Sequence, residues 1–317
     1  MVRWRPVILC YSAGFLLATL LTICANPPAL YSSWAYQYFK NDYAKAGWMF
    51  DHLISKPYTV NDLFMGSSHT LNGVDDEVIE QALGSGASYN AAIPTSGRDF
   101  QYVVLKDVLK RGQVQRLFLE VRETEERTSH FGFPIVAQMS DVFTAPPNPW
   151  WIKNVTLAIR YRFERLVQLA FPEEKNNLVG VRYSRFGYVP NHVQMAREEL
   201  VKQADTTFRT KRWRLLPNMF GDLEFAANER YVHHIAELCR EKKIELHFLY
   251  LPFLRGPQEP AQAHFYRSLG TLHLLPDYIR TNPQYFADPT HLNPLGAAIY
   301  TKWVIEHILR PKPRALR

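Results

Sequence analysis

Residues 62–73 carry the sequence DLFMGSSHTLNG, in which an apolar run ends at a glycine that is followed by two serines and a histidine. The alternating, β-prone residues from Thr59 onward predict a strand that ends at Gly66. A tight turn rich in small polar residues would account for the stretch, and so would a turn that exposes a nucleophilic serine. Because the stretch alone does not separate these interpretations, the rest of the chain has to.

The segments that follow alternate between helix and strand patterns. Asp75 is placed to cap a helix in DDEVIEQAL, ASYN predicts a second strand, DFQYVVLKDVLKRG predicts a helix that stops at Gly112, and VQRLFLEV predicts a third, covered strand. Much later come a helix pattern over 222–243, a buried strand that ends at Pro252, and a final amphipathic helix capped by Asn293. This order predicts an α/β fold with a parallel sheet flanked by helices.

A helical insertion is expected over residues 123–218, between the two halves of this pattern. It contains an amphipathic helix over 150–171, which packs either as a lid on the sheet domain or as an interfacial helix on anionic lipid. The predicted organisation is a cytoplasmic tip and anchor over 1–30, a connector over 31–59, and a domain over 60–317 that includes the insertion.

The amino-terminal region predicts a membrane anchor. Arg3 and Arg5 precede an uncharged run over 6–39, and residues 7–25 are long enough to span a bilayer as a helix rising about 1.5 Å per residue. Arginines before the span place the amino terminus in the cytoplasm and the main domain outside it. The alternatives are a cleaved signal peptide, a lipoprotein signal at Cys24 and a buried helix of a soluble protein. The flanking pattern favours an uncleaved signal anchor.

The composition is that of a globular chain with a substantial core, since 47% of the 317 residues are hydrophobic and 14% are aromatic. A net charge of +7 suits an anionic partner such as a membrane surface or an acidic polymer. Nucleic acid is not expected, because the basic residues are scattered and no groove-reading motif is present. The sequence has no metal-ligand spacing and no phosphate-binding glycine loop, so no metal or cofactor is expected.

Candidate catalytic residues lie at two distant points of the chain. Ser67 and Ser68 follow the first strand, and ligands of open parallel sheets sit beyond the carboxyl ends of the strands. A serine nucleophile needs a base and a group that orients the base. Asp288 and His291, three residues apart before the last helix, supply both, whereas His69 is expected to point away from its neighbour Ser68. Each residue alone is typical of a turn or a surface, but together they favour a Ser-His-Asp triad.

These motifs resemble the SGNH, or GDSL-type, hydrolase superfamily. More narrowly, they resemble its membrane-anchored bacterial branch, which includes proteins for O-acetylation of exported polysaccharides and for D-alanylation of teichoic acids. Residues 66–68, Gly-Ser-Ser, are similar to the first block, Gly-Asp-Ser, and residues 288–291 match the last block, Asp-x-x-His. Residues 90–92, Asn-Ala-Ala, match the second block loosely. The resemblance covers about 60–309 apart from the insertion.

The resemblance implies an SGNH-like (flavodoxin-like) sheet with Ser68 as the nucleophile, His291 as the base and Asp288 as its orienting carboxylate. Asn90 and Ala92 would assist the oxyanion. The implied activity is acyl transfer or ester hydrolysis on a cell-surface glycan or a teichoic-acid-like polymer. The implied place is the outer, periplasmic or extracytoplasmic, side of a bacterial cell membrane, and the implied partner is a multi-pass membrane O-acyltransferase.

The third block of the family, Gly-x-Asn-Asp, is not matched. The strand ends instead in Glu-Val-Arg, residues 120–122, without the asparagine that donates to the oxyanion in the family. Arg122 is therefore a candidate oxyanion or substrate ligand, or else a partner of neighbouring glutamates, and residues 120–127 are expected at a solvated edge. Loss of one oxyanion donor costs about 2.7–4 kcal/mol. A non-catalytic scaffold or glycan-binding protein is thus the alternative, and an esterase acting on interfacial lipid is a third interpretation.

Overall fold

A five-stranded sheet lies at the centre of the computed structural model, which describes residues 4–24, 35–37, 44–84, 88–95, 97–144, 150–170, 183–210 and 221–310. All neighbouring strands are parallel and the spatial order is β2-β1-β3-β4-β5. The strands are β1 (Tyr58–Met65), β2 (Ser88–Asn90), β3 (Gly112–Val121), β4 (Glu245–Tyr250) and β5 (Thr271–Leu274). The predicted parallel α/β sheet flanked by helices is confirmed.

Helices connect and cover the strands. Those before the insertion are α1 (Trp4–Cys24), α2 (Ala44–Met49), α3 (Ser68–Gly73), α4 (Asp76–Leu83) and α5 (Arg98–Leu109). Those of the insertion are α6 (Phe133–Val136), α7 (Met139–Thr144), α8 (Trp151–Ala170) and α9 (Arg197–Thr210). The α-helices after the insertion are α10 (Gly221–Lys242), α11 (Ala263–Leu269), α12 (Asp277–Arg280) and α13 (Pro294–Val304). Shorter π-helical or 3-10 segments are Phe50–Ile54, Pro283–Tyr285 and Ile305–Leu309.

The two faces of the sheet carry separate hydrophobic clusters, because successive side chains of a strand point to opposite faces. Leu63 of β1 packs in the cluster that includes α5 and α10, whereas its neighbour Phe64 packs in the cluster that includes α4 and α13. Phe64 stacks on Phe118 of β3 with ring centroids 4.7 Å apart. Burial on both faces explains why the central strands are almost continuously apolar.

The predicted helix caps beside the site are present. Asp75 is the N-cap of α4, where its side chain accepts from the amides of Glu77 and Val78. Asn293 is the N-cap of α13, followed by a proline in the first turn, and it accepts from the amide of Gly296. These caps fix where the two helices begin, and each helix starts at the carboxyl edge of the sheet.

The predicted helix stop at Gly112 is wrong. Helix α5 ends at Leu109, and Gly112 is the first residue of β3. A Cβ at this position would lie 2.5 Å from the ring of Tyr58, so the glycine is explained by the close approach of that ring. The glycine therefore serves the pairing of β1 with β3 and does not terminate the helix.

The amino-terminal helix α1 includes all of the predicted membrane span, residues 7–25, except Ala25, which lies outside the described residues. Within the part of the chain that the structure describes, no helix has both the length and the apolar character needed to cross a membrane. The predicted transmembrane anchor is therefore not supported.

The long amphipathic helix of the insertion, α8, packs against α6, α7 and α1. Its apolar residues are only partly turned inward. Val155 and Ile159 pack against the core. Ile152 and Phe163, by contrast, are 74% and 55% exposed, and Arg162 is buried. Nη1 and Nη2 of Arg162 donate to the backbone carbonyls of Ala158 and Ala137, which satisfies part of the buried guanidinium. The helix is thus held in part by a polar contact that the apolar periodicity could not predict.

Candidate active site

Ser68 and His291 meet at the carboxyl edge of the sheet. Ser68 is the first residue of α3, directly after the turn that ends β1, and His291 lies in the loop before α13. The Oγ of Ser68 is 2.8 Å from Nε2 of His291. Residues from distant parts of the chain are therefore within hydrogen-bond distance, as a serine and its base must be.

Asp288 orients the histidine from the other side. Its Oδ2 is 2.8 Å from Nδ1 of His291, while its Oδ1 accepts from the amides of Thr290 and His291 and from the Thr290 hydroxyl. Burial of the carboxyl raises its pKa, but the hydrogen bonds from His291 and Thr290 outweigh this effect and lower the pKa to about 2. An ionised Asp288 favours the tautomer with the proton on Nδ1, which leaves Nε2 free to accept the Ser68 proton.

A second carboxylate, Glu120, organises the turn that carries Ser68. It lies in β3, where it is 3% exposed, next to the end of β1. Its Oε2 accepts from the amides of Ser67 and Thr70 at 2.8 and 2.9 Å and from the Thr70 hydroxyl at 2.7 Å. Its Oε1 accepts from the Ser67 hydroxyl at 2.6 Å. Glu120 thus accepts hydrogen bonds from backbone amides at the start of α3 that have no acceptor within the helix, which is the usual function of a cap.

Gly66 is required by this carboxylate. A Cβ at Gly66 would lie 2.4 Å from Oε2 of Glu120 and 2.4 Å from Oγ1 of Thr70. Its φ is not positive, so the requirement is one of space and not of backbone conformation. The glycine that opens the serine motif and the glutamate at the end of β3 therefore form one local structure.

His69 lies beside His291. Its ring stacks on that of His291 with centroids 4.5 Å apart and an interplanar angle of 14°. Its Nδ1 is 2.8 Å from Oγ of Ser67, and the Ser67 hydroxyl itself donates to Glu120. The sequence predicted that His69 would not serve Ser68, and its hydrogen bond is indeed to Ser67, but no sequence signal showed that it would support the ring of His291.

Asn90 and Ala92 occupy the end of β2, where their polar groups are engaged in the fold. The side-chain amide of Asn90 donates to the carbonyls of Thr70 and Val74 at 2.8 Å each, and its Oδ1 accepts from the amide of Ala92 at 3.1 Å. These bonds join β2 to α3 and use the N–H groups that were expected to assist an oxyanion. The Ser68 amide, by contrast, has no acceptor among the described residues.

A cavity of about 520 Å³ opens beside Ser68. Its wall is formed by Ser67, Ser68, His69, Thr95, Arg122, Glu123, Thr124, Glu125, Glu126, Arg127, Thr128 and Phe253. The prediction that residues 120–127 form a solvated edge is wrong, because Glu123 and Glu125 are 3% and 2% exposed. Partners from elsewhere in the chain account for the burial: Arg98 pairs with Glu125, and the Phe253 amide donates to Glu123.

Thr95 adopts an unusual backbone conformation on the cavity wall. It has a φ of 61°, which is strained for a β-branched residue and costs on the order of 1–3 kcal/mol. Its hydroxyl is 3.0 Å from Nε2 of His130, and burial lowers the pKa of that histidine to about 4. His130 is therefore neutral at pH 7 and holds the strained loop through hydrogen bonds without adding charge to the cavity.

Comparison with known proteins gives no family assignment: no family model and no curated protein matches the chain. Across the described ranges, no cluster of three or more His, Cys, Asp or Glu residues is arranged to hold a metal ion. The chemistry that the site can perform therefore depends on Ser68, His291, Asp288 and the cavity beside them.

Proposed function

We propose that this protein is a serine acyltransferase or esterase of the SGNH type, in which Ser68 forms a covalent acyl-enzyme. The observation that carries this proposal is the continuous series from Ser68 Oγ to His291 Nε2, at 2.8 Å, and from His291 Nδ1 to Asp288 Oδ2, at 2.8 Å. A nucleophile, a base and an orienting carboxylate in this relation are the parts of a Ser-His-Asp triad. The adjoining cavity provides room for a substrate.

In the first half-reaction, Ser68 Oγ attacks the carbonyl carbon of an ester while His291 Nε2 takes the hydroxyl proton. The tetrahedral intermediate collapses, the bond to the leaving oxygen breaks, and His291 returns the proton to that oxygen. Asp288 stabilises the imidazolium that exists between these steps. The Ser68 amide is the candidate donor to the oxyanion, since its N–H has no other acceptor among the described residues.

In the second half-reaction, an acceptor hydroxyl attacks the acyl-enzyme and gives its proton to His291, which passes it to Ser68 Oγ as that oxygen leaves. Water as the acceptor makes the protein an esterase, whereas a sugar or polymer hydroxyl makes it an acyltransferase. The triad serves both outcomes equally, so the choice depends on which acceptor occupies the cavity.

Fold and motif placement support the SGNH assignment within this proposal. The strand order 2-1-3-4-5 is that of flavodoxin-like sheets, in which ligands bind beyond the carboxyl ends of the strands. The serine motif follows β1, and Asp288 and His291 directly precede α13. These are the positions that the first and last blocks of the family would occupy.

A cell-surface glycan or teichoic-acid-like polymer is the proposed substrate, at the outer face of a bacterial membrane and with a multi-pass O-acyltransferase as acyl donor partner. The net charge of +7 is compatible with an acidic polymer. The rest of this assignment comes from the sequence resemblance alone.

The test is mass spectrometry of the purified protein after exposure to a fluorophosphonate, which phosphonylates activated serines. We expect a single modification on Ser68 that is absent from Ser68→Ala and at least 10²-fold slower in His291→Ala, because the base is removed. Retained secondary structure in both variants, measured by circular dichroism, serves as the control. A folded wild-type protein that takes up no label contradicts the proposal.

A non-catalytic scaffold of the same fold is the second candidate. Glu120 and Arg122 stand where the family has its asparagine, and the amides near Asn90 are used within the fold. The scaffold predicts that a Ser68→Ala strain retains the full cellular function of the protein, whereas the enzyme predicts loss of function at unchanged protein level.

A further inference from the structure

Arg122 is a buried cation, and two of its guanidinium nitrogens have no hydrogen-bond acceptor among the described residues. The residue is 9% exposed, and its Nε and Nη1 are buried with no hydrogen-bond partner. Its Nη2 lies 3.5 Å from Oε2 of Glu123, which is longer than the 2.7–2.9 Å typical of a charge-assisted hydrogen bond. A buried guanidinium in this state is unfavourable, because each unpaired donor has lost its water without gaining an acceptor.

The guanidinium has a fixed support on the cavity wall. It lies over the ring of Phe253, 4.9 Å from the ring centroid, and both residues line the same cavity as Ser68. Such a contact attracts the guanidinium to the ring and uses none of its N–H donors. The side chain therefore lies at the cavity wall with donors that the described part of the fold does not use.

The neighbouring carboxylates do not supply hydrogen-bond acceptors to Nε and Nη1 of Arg122. Glu125 is bound by Arg98, with Nε–Oε1 and Nη2–Oε2 distances of 2.8 and 3.1 Å, and by the hydroxyl of Tyr266. Burial raises the pKa of Glu126, as does the charge of Glu125, whereas Arg98 and Arg122 lower it in part. Among the described residues, Glu123 is the carboxylate in an ion pair with Arg122, and it also accepts from the Phe253 amide.

We propose that Arg122 binds an anionic group of the substrate, a phosphate or a carboxylate, in the cavity beside Ser68. This inference rests on the proposed acyl chemistry, because it concerns the substrate of the same site. The planar fork of an arginine matches the paired oxygens of both groups. Because Nε and Nη1 are covered by protein atoms, binding through them requires the guanidinium to turn toward the incoming oxygens.

Binding is tested first without catalysis, in the full-length Ser68→Ala protein. The probes are 4-hydroxybenzoate, phenyl phosphate and the neutral 4-hydroxybenzamide, titrated by calorimetry. We expect the anions to bind at least ten times more tightly than the amide, and the relative affinity of the two anions to distinguish carboxylate from phosphate. In Ser68→Ala combined with Arg122→Gln, the anion preference should disappear.

Turnover is tested with matched acetyl esters, 4-acetoxybenzoate and 4-acetoxybenzamide. The wild-type protein should favour the anionic ester at least ten-fold in kcat/KM, with most of the effect in KM. Arg122→Gln should bring the ratio of kcat/KM for the anionic ester to that for the neutral ester close to one, and Arg122→Lys should keep part of the preference. Arg267→Gln, which removes an equal charge from the exposed pair with Glu259, is the control for net charge.

The two proposals fail in different ways. Equal binding of anions and amide, or an anion preference that survives Arg122→Gln, overturns the assignment of Arg122 even if Ser68 is labelled by a fluorophosphonate. Absence of both labelling and ester turnover overturns the acyl chemistry, whatever the titrations give. Activity on the neutral ester with no preference for the anionic one contradicts only the anionic subsite.

Discussion

Two consecutive serines in one turn contact two stacked histidines, yet the two pairs have different surroundings. Ser68 meets His291, and the carboxylate of that pair, Asp288, lies on the histidine. Ser67 meets His69, and the carboxylate of that pair, Glu120, contacts the serine hydroxyl directly. Each group thus consists of a serine, a histidine and a carboxylate, but the carboxylate contacts the histidine in the first group and the serine in the second.

The order of connection decides what each pair can do. With the carboxylate on the histidine, the imidazole nitrogen facing Ser68 is free to take a proton. With the carboxylate on the serine, the Ser67 hydroxyl is already committed to Glu120, and that carboxylate also holds two backbone amides. The first pair is arranged for proton transfer and the second for holding the turn, so residue identity alone does not define a catalytic pair.

The largest expected difference is between the two serines. Ser68→Ala should reduce ester turnover by at least 10⁴-fold, because the nucleophile is lost, whereas Ser67→Ala should reduce it less than ten-fold. The turnover of 4-acetoxybenzamide and the rate of fluorophosphonate labelling are measured for both variants. Comparable losses in the two variants would remove the distinction between a catalytic and a supporting serine.

The histidines should differ next. His291→Ala should lower kcat by about 10³-fold through loss of the base, whereas His69→Ala should lower it about ten-fold through a less firmly held His291 ring. Steady-state kinetics on the neutral ester separate the two effects. A His69→Ala loss as large as that of His291→Ala would show that His69 takes part in proton transfer.

Glu120→Gln should lower the free energy of unfolding by about 2–3 kcal/mol, because an amide replaces one of the oxygens that accept the Ser67 and Thr70 donors in a buried site. Urea denaturation with an unchanged m-value measures the change. Glu259→Gln, in an exposed ion pair with Arg267, is the matched control and should lower the free energy of unfolding by less than about 1 kcal/mol. Equal costs would mean that Glu120 does not hold the turn.

The smallest effect is a pH dependence of stability from Asp288. Its pKa is lowered to about 2 in the folded protein, so its contribution is fully present above its unfolded value near 3.8 and is lost as the pH falls toward 2. Allowing for partial exposure, we expect about 1 kcal/mol. The difference in unfolding free energy between wild type and Asp288→Asn should therefore shrink between pH 5 and pH 2.5. A constant difference would contradict this origin.

The meeting of Ser68, His291 and Asp288 in the proposed triad could be predicted from the sequence because each part is marked by local signals. A β-prone run ending in glycine places Ser68 at a strand end, and a cap-proline pair at Asn293 places Asp288 and His291 before a helix. The rule for ligands in parallel sheets then brings both ends to one edge. The parallel order of the strands followed from the alternation of elements alone.

The supporting residues were not accessible, because their partners are distant in sequence. Glu120 and Glu125 stand in a run of charges that is typical of a solvated edge, and only the fold brings them Ser67 and Arg98 as donors. The short edge strand β5 was likewise not predicted, since its residues are only partly buried and lack a strong apolar pattern. Burial that depends on long-range partners leaves no periodic signal.

The close approach of Gly66 to Glu120 also constrains how this sequence can change over time. A side chain gained at Gly66 would collide both with the Glu120 carboxylate and with Oγ1 of Thr70. A substitution at Gly66 therefore requires earlier changes at both of these positions. Chains that descend from a common ancestor should keep glycine for as long as they keep the glutamate, so the pair is a signature by which relatives of this protein can be recognised.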